Sequence, residues 1–303
     1  MNSWFRPGQA EKNDAAGNML AGLAWMVLTG IVFTAIVTVI RKVSLDMHAA
    51  ESAFLRYLLG LAFILPLFIG RRRRELRTRR PFLQGLRGIL HGASVLLWFI
   101  AIADIALAEV TALSFMAPVF ATIGAALFLG EKIGLPRIIA VVCGVVGALV
   151  ILQPGFREIS WGHIAMLLSA PCSAGSRIIA KRLTYDESPT AIVAWLSITV
   201  TIVLAIPAMQ VWRAPTTEEL LMLALMAFLA TIAHYCMTRA LQAADLSLTQ
   251  PIEFLQLIWV SLVGIYVFGE QPFWGIWVGG AIIIASATYI ARREMLARNR
   301  QKS

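Results

Sequence analysis

The chain has 303 residues, 59% of them hydrophobic and only 14% charged, with a net charge of +9. A soluble domain carries nearer a quarter charged residues, and the apolar residues here stand in long blocks rather than in helical stripes. That excludes a soluble globular protein and points to a polytopic α-helical membrane protein, whose positive charge sits between the blocks to orient it in the bilayer and not to hold nucleic acid.

Residues 1–18 are polar and read as a tail. The first block, Met19–Ile40, has 22 residues and no charge, about the 20 residues needed to span the hydrocarbon core. It is too long for a signal peptide, has no cleavage-type end, and is followed by nine further blocks. Spans are predicted near 19–40, 52–70, 85–103, 108–129, 134–153, 160–180, 190–211, 219–241, 246–268 and 273–291, with a basic tail over 292–303. The longest connections, 71–84 and roughly 41–51, are too short to hide a soluble domain. Cys143, Cys172 and Cys236 all fall inside predicted spans and read as small packing residues, and no CxxC or HExxH spacing marks a metal site. No cofactor is implied.

Orientation follows from Lys and Arg. With the N-terminus inside, inner segments carry 18 of them, seven in RRRRELRTRR (71–80), and outer segments carry four: Arg41, Lys42, Arg157 and Arg213. The bias places both termini in the cytoplasm. The arginine run is a topology anchor compatible with binding anionic lipid headgroups.

A short phrase recurs. LFLGE (127–131) ends one apolar stretch and YVFGE (266–270) ends another, 139 residues later. At that offset Phe115 meets Phe254 and Thr122 meets Ser261. The expected organisation is two repeats, 19–153 and 160–291, of five spans each. An odd number of spans inserts the second repeat upside down, a common plan among transporters.

The stretch LAEVTALSFMAPVFATIGAALFLGEKIGLPRIIAVVCGVVGALVILQPG (107–155), with a weaker copy ALQAADLSLTQPIEFLQLIWVSLVGIYVFGEQPFWGIWVGGAIII (240–284), resembles the EamA branch of the drug/metabolite transporter superfamily. The resemblance covers about 19–291. It implies ten spans in two inverted repeats, a central cavity, alternating access and a small organic metabolite as substrate. The chain is most similar to bacterial inner-membrane members linked to S-adenosylmethionine, riboflavin or amino-acid transport. PIEFLQLIW (251–259) departs from the usual family wording, so no single substrate carries over.

Polar groups inside a span are costly and face a cavity or a partner. Glu253 is the sharpest case, with Gln250 and Gln256 three residues away on either side, all within one arc of a helix. The reading is a substrate contact or coupling carboxylate, set against a carboxylate tied to a neighbouring Arg. Pro251 is placed to break the helix there. Arg56, just beyond Glu51, either meets an anionic substrate group or snorkels. Arg177 and Arg239 read as snorkelling charges. His91 reads first as a hydrogen-bonded packing residue and second as a proton relay. Trp25, Trp98, Phe115, Tyr235 and Phe254 are candidates for an aromatic cavity wall suited to a planar or cationic substrate; Trp4 and Trp161 read as interfacial anchors. Gly88–Gly92 and Gly275–Gly279 are spaced for close helix approach, with a dimer face as the lesser reading of the second pair, so monomer and homodimer both stay open. Glu131 and Glu270 are expected to cap the next helix or anchor a gate loop.

No GxxxxGK[ST] motif occurs, so a secondary carrier is the leading function. The alternatives are a lipid flippase or a partner subunit. An intramembrane enzyme needs a nucleophile–base set or a metal cluster, and the polar residues here are isolated.

Overall fold

The computed structural model describes residues 9–64, 77–129, 135–183, 187–243, 252 and 254–302. Along them run α1 (Gln9–Val43), α2 (Ala49–Ile64), α3 (Pro81–Asp104), α4 (Leu107–Ser114), α5 (Ala117–Leu129), α6 (Leu135–Leu152), α7 (Trp161–Leu183), α8 (Pro189–Gln210), α9 (Thr217–Ala243), α10 (Gln256–Phe268) and α11 (Trp274–Lys302). Five stretches among them are long and apolar enough to cross a membrane on their own. The ends follow local chemistry. Pro81 and Pro189 open α3 and α8 at positions whose N–H would be unsatisfied in any case. The Ser188 hydroxyl accepts the Ala191 N–H at 3.1 Å as the N-cap of α8.

The fourth span is two helices, α4 and α5, broken at Phe115 and Met116. Its repeat partner is α10, which begins at Gln256 after a turn at Phe254 and Leu255. Shifting α5 by the 139-residue offset lands on both ends of α10, and shifting the start of α6 lands on the start of α11.

Helix pairing obeys the same symmetry. α1 packs along α9 and its counterpart α7 packs along α3, whereas α2 with α8, and α6 with α11, are pairs of counterparts packed on each other. The fold is therefore all-α, with ten spans in two inverted five-helix repeats. Glycines bring these pairs together. A Cβ on Gly88 would lie 2.4 Å from Thr199 Cβ, setting α3 against α8. A Cβ on Gly279 would lie 2.5 Å from the Gly147 carbonyl, setting α11 against α6, so this glycine pair serves an internal contact. Away from that crossing, Ile138, Val142, Val145 and Leu149 of α6 are exposed at helical spacing. Such an apolar stripe suits lipid rather than water.

Candidate functional site

The turn between α4 and α5 meets the turn that leads into α10. The Phe115 and Phe254 rings stand edge to face with centroids 4.9 Å apart. Phe115 lies in the turn between α4 and α5 and is 9% exposed, and Phe254 lies in the turn that leads into α10. Breaks at membrane depth are tolerated where the freed backbone groups line a cavity or are buried in protein, and carriers place substrate sites at such points. Gln256 is half-buried at the first residue of α10, two positions beyond Phe254. Gln250, Pro251 and Glu253 lie outside the described residues.

The other predicted residues form separate groups. Trp25 of α1 stands edge-on to Tyr235 of α9 at 6.0 Å, and the Arg239 guanidinium lies 5.8 Å from the same indole. Tyr235 is 57% exposed. On α2 and α3, the Tyr57 hydroxyl is 3.1 Å from His91 Nε2, and Arg56 stacks 4.5 Å above the Tyr57 ring. Tyr57, which the sequence did not single out, thus joins Arg56 to His91. Beside them Arg87 donates from Nη1 to the Ile192 carbonyl at 3.0 Å. Buried Nε atoms of Arg56 and Arg87, and both amide atoms of fully buried Gln84, have no hydrogen-bond partner among the described residues. Trp98 packs against Phe33, 5.8 Å away, and next to Phe99 rather than beside the Phe115–Phe254 pair. Arg177 is exposed and donates to the Ser173 hydroxyl at 3.2 Å, as a snorkelling side chain would.

At the end of the bundle away from the two termini, charges interlock. Arg41, at the end of α1, donates to the carbonyls of Ile102 and Ile105, and its Nη2 lies 3.4 Å from Glu270 Oε1. Glu270 Oε2 accepts the Leu107 N–H at 2.9 Å, one of the orphan donors at the start of α4. So Glu270 caps a helix of the other repeat, not the next helix in the chain. Gly269 makes this possible. Its φ of +64° ends α10 in the left-handed region, and the Glu270 N–H turns back to the Gly264 carbonyl at 2.9 Å. A Cβ on Gly264 would sit 2.5 Å from Glu270 Oε2, so the glycine leaves room for the carboxylate. Burial pushes the Glu270 carboxyl above the usual carboxylate range, opposed by the Leu107 amide and by Arg41.

Alongside, Glu109 of α4 is 3% exposed and accepts from Arg157 Nη1 at 2.9 Å and from His163 Nε2 at 2.7 Å. The Arg157 guanidinium stacks 4.1 Å above Phe273. Asp104 accepts the Gly162 N–H at 2.6 Å. Sequence reasoning counted Arg41 and Arg157 only as outer charges and passed over Asp104, Glu109 and His163. The available signals were a serine three residues before a histidine at a helix start (160–163), and an acid in the first turn of α4. Farther along the same end, Arg213 bridges both Glu219 oxygens and the Asp46 carbonyl at the rim of an open cleft of about 420 Å³.

Residues 20–153 and 160–292 each match the family described as the EamA-like transporter family. The chain is similar to a riboflavin transporter of Rhizobium johnstonii, 34% identical over 281 residues that cover 91% of this chain and 92% of that one. It is similar to an S-adenosylmethionine uptake transporter of Rickettsia conorii at 28% identity, covering 95% and 98% of the two chains. It also resembles the pseudopaline exporter CntI of Pseudomonas aeruginosa at 26% identity, covering 90% and 96%. A solved structure described only as "Crystal structure of protein" superposes with a TM-score of 0.58 at 17% identity, over 95% of this chain and 99% of that one, and so shares the fold.

Proposed function

We propose that this chain, which belongs to the EamA-like transporter family, is a secondary carrier for a small metabolite built on a planar nitrogen heterocycle. Both termini lie in the cytoplasm and the protein sits in a bacterial inner membrane. The observation that carries the substrate class is the meeting of Phe115 and Phe254 at the two helix breaks. Aromatic faces at that depth stack on a flat ring, and stacking tolerates variation in what the ring carries. The relatives named for riboflavin and for S-adenosylmethionine share this chemistry: a flat heterocycle with a polar chain. Gln250, Glu253 and Gln256 supply amide and carboxylate groups near the ring for its nitrogens and hydroxyls. Arg56, His91, Trp25, Tyr235 and Trp98, which stand in separate groups away from that contact, are assigned to the path the substrate takes to it. The 18-to-4 distribution of Lys and Arg supports the orientation.

Alternating access follows from the duplication. Each repeat contributes one phenylalanine to that contact, so tilting one repeat against the other opens either end while the Phe115–Phe254 contact stays at the pivot. The test is uptake of radiolabelled riboflavin and of S-adenosylmethionine into proteoliposomes. At least one should accumulate, and Glu253→Gln should cut its uptake about tenfold or more, the loss expected from one charge-assisted hydrogen bond. Melting temperature should not change. Transport of neither compound overturns the substrate class, and unchanged kinetics in the variant remove Glu253 from the site.

A further inference from the structure

We propose that Gln84 and Arg87 of α3, with Arg56 and Tyr57 of α2, form an oxyanion site on the substrate's path that takes a carboxylate or phosphate group carried by the solute. The inference rests on the transport reading and deepens it, because it narrows the substrate's polar chain to one that ends in such a group.

The site begins with a helical stripe. Gln84, Arg87 and His91 are spaced three and four apart on α3, so they share one face. That face meets α2, where the Tyr57 hydroxyl touches His91. One turn nearer the termini, this register brings Gly60 of α2 level with Arg87 of α3. A Cβ on Gly60 would meet no described atom within 4 Å. Gly60 also lies opposite Leu58 on the helix, and Leu58 is 42% exposed on the outside of the bundle. The free space beside Gly60 is therefore on the inner side of α2, between the two helices.

The groups at that space lack partners. Among the described residues, neither Arg56 nor Arg87 pairs with a carboxylate. Arg87 donates one bond, to the Ile192 carbonyl, and its buried Nε donates none. Arg56 stacks on the Tyr57 ring, and its buried Nε is also unpartnered. Gln84 is 0% exposed, with both amide atoms unsatisfied. Polar groups within a span are costly unless a partner or a cavity receives them. Two guanidinium groups repel a cation, and a neutral ligand would leave their charge uncompensated. A carboxylate or phosphate supplies both the negative charge and several acceptor oxygens for their N–H groups and for the Gln84 amide. The approach is basic as well: exposed Arg77 and Arg79 precede α3, and cations at such a mouth concentrate anions there.

The experiment compares melting temperatures of the full chain in phosphatidylcholine nanodiscs, in sodium phosphate and in sodium chloride of equal ionic strength. Wild type should melt higher in phosphate, because a ligand of the native state stabilises it. Phosphate also strengthens apolar burial in general, so the site is read from the part of the rise that Arg87→Gln and Arg56→Gln lose. Arg56 donates no hydrogen bond to a described residue, so Arg56→Gln reads the site even where Arg87→Gln fails to fold. Binding of matched pairs then tests the solute: riboflavin 5′-phosphate against riboflavin, and S-adenosylmethionine against its decarboxylated form. In each pair the compound with the oxyanion should bind about tenfold or more tightly, the worth of one charge-assisted hydrogen bond, and the gap should close in both variants. An equal phosphate response in wild type and Arg56→Gln, pairs that bind without a gap, or a gap that survives both substitutions each overturns the proposal. Discs that also contain phosphatidylglycerol separate the two sources of phosphate, since a gap abolished by the anionic lipid assigns the site to headgroups and overturns its assignment to a solute. If none of these compounds binds while the response to phosphate still depends on Arg56, the heterocycle reading fails and the oxyanion site stands.

Discussion

From their turns onward, the fourth and ninth spans share a backbone, and their sequences before the turns differ in chemistry. In each, a hydroxyl in the second turn of the helix that follows bonds back along its own helix: Thr122 to the Pro118 carbonyl at 3.0 Å, Ser261 to the Leu257 carbonyl at 2.6 Å. The two bonds coincide under the 139-residue offset, as do the phenylalanines of the break. Upstream the copies part. The first carries Thr111, Ser114 and Ala117 where the second carries Gln250, Glu253 and Gln256. Thr111 and Ser114 spend their hydroxyls on their own helix, at 2.8 and 2.6 Å. Amide and carboxylate side chains are longer and reach away from the backbone that carries them. Under the proposed function, the matching phenylalanines serve as the pivot and the longer polar side chains of the second copy are the ones that meet the ligand.

The largest expected effect comes from breaking the symmetric frame itself. Where α6 crosses α11, Gly279 faces the Gly147 carbonyl, and a Cβ there would also meet Ile151 Cγ1 at 2.6 Å. The repeat offset carries this contact onto Ser286 and Ala140, where the Ser286 hydroxyl donates to the Ala140 carbonyl. The same crossing is thus held on one side by close backbones and on the other by a hydrogen bond. Gly279→Val must push two backbones apart, with overpacking of about 3 kcal/mol or more. Ser286→Ala should cost only about 0.6 kcal/mol, a typical intramembrane hydrogen bond. Yield of monodisperse protein and melting temperature in detergent check the order. Equal tolerance of the two changes would mean the helices do not approach as closely here as the glycines imply.

The next effect is smaller and tests whether the two breaks act as one pivot. Phe115→Ala and Phe254→Ala should each destabilise the protein. The double variant should cost less than the sum, by a coupling of about 1 kcal/mol for an edge-to-face pair. A cycle of melting temperatures measures it. Strict additivity would show that the rings do not rely on each other.

These comparisons also show how far the sequence reached. The period was legible because it is local and repeated: Gly-Glu closing an apolar block set an offset that coincides with both ends of α5 and α10. Gly88–Gly92 and Gly275–Gly279 were legible as close-approach sites because small-residue spacing acts within one helix. The charge network was not legible. Arg41 binds carbonyls about sixty residues away and Glu270 caps a helix 163 residues back in the chain, and nothing local distinguishes such residues from loop charges that set topology. Glu270 shows this most clearly, since its role as a helix cap was foreseeable but the identity of the capped helix depends on how the repeats fold against each other. Tyr57 escaped notice for a related reason, because an interfacial tyrosine and one joining Arg56 to His91 look alike in sequence.

The smallest effect gives the sharpest comparison. Thr122→Val and Ser261→Ala each delete a hydroxyl that donates to a carbonyl of its own helix. Neither removal strands a buried donor, and the carbonyl keeps its place in the turn, so each should cost well under about 1 kcal/mol. The copies differ at one atom. Position 118 is proline and has no N–H, whereas the Leu257 N–H donates to the Phe254 carbonyl at 3.1 Å. At this position the second copy has a backbone bond that the first cannot form. Losing the hydroxyl should consequently disturb the Pro118 turn slightly more than the Leu257 turn, and Thr122→Val should lower the melting temperature more than Ser261→Ala. The reverse order would show that the hydroxyls, rather than the backbone bond, hold the two breaks in register.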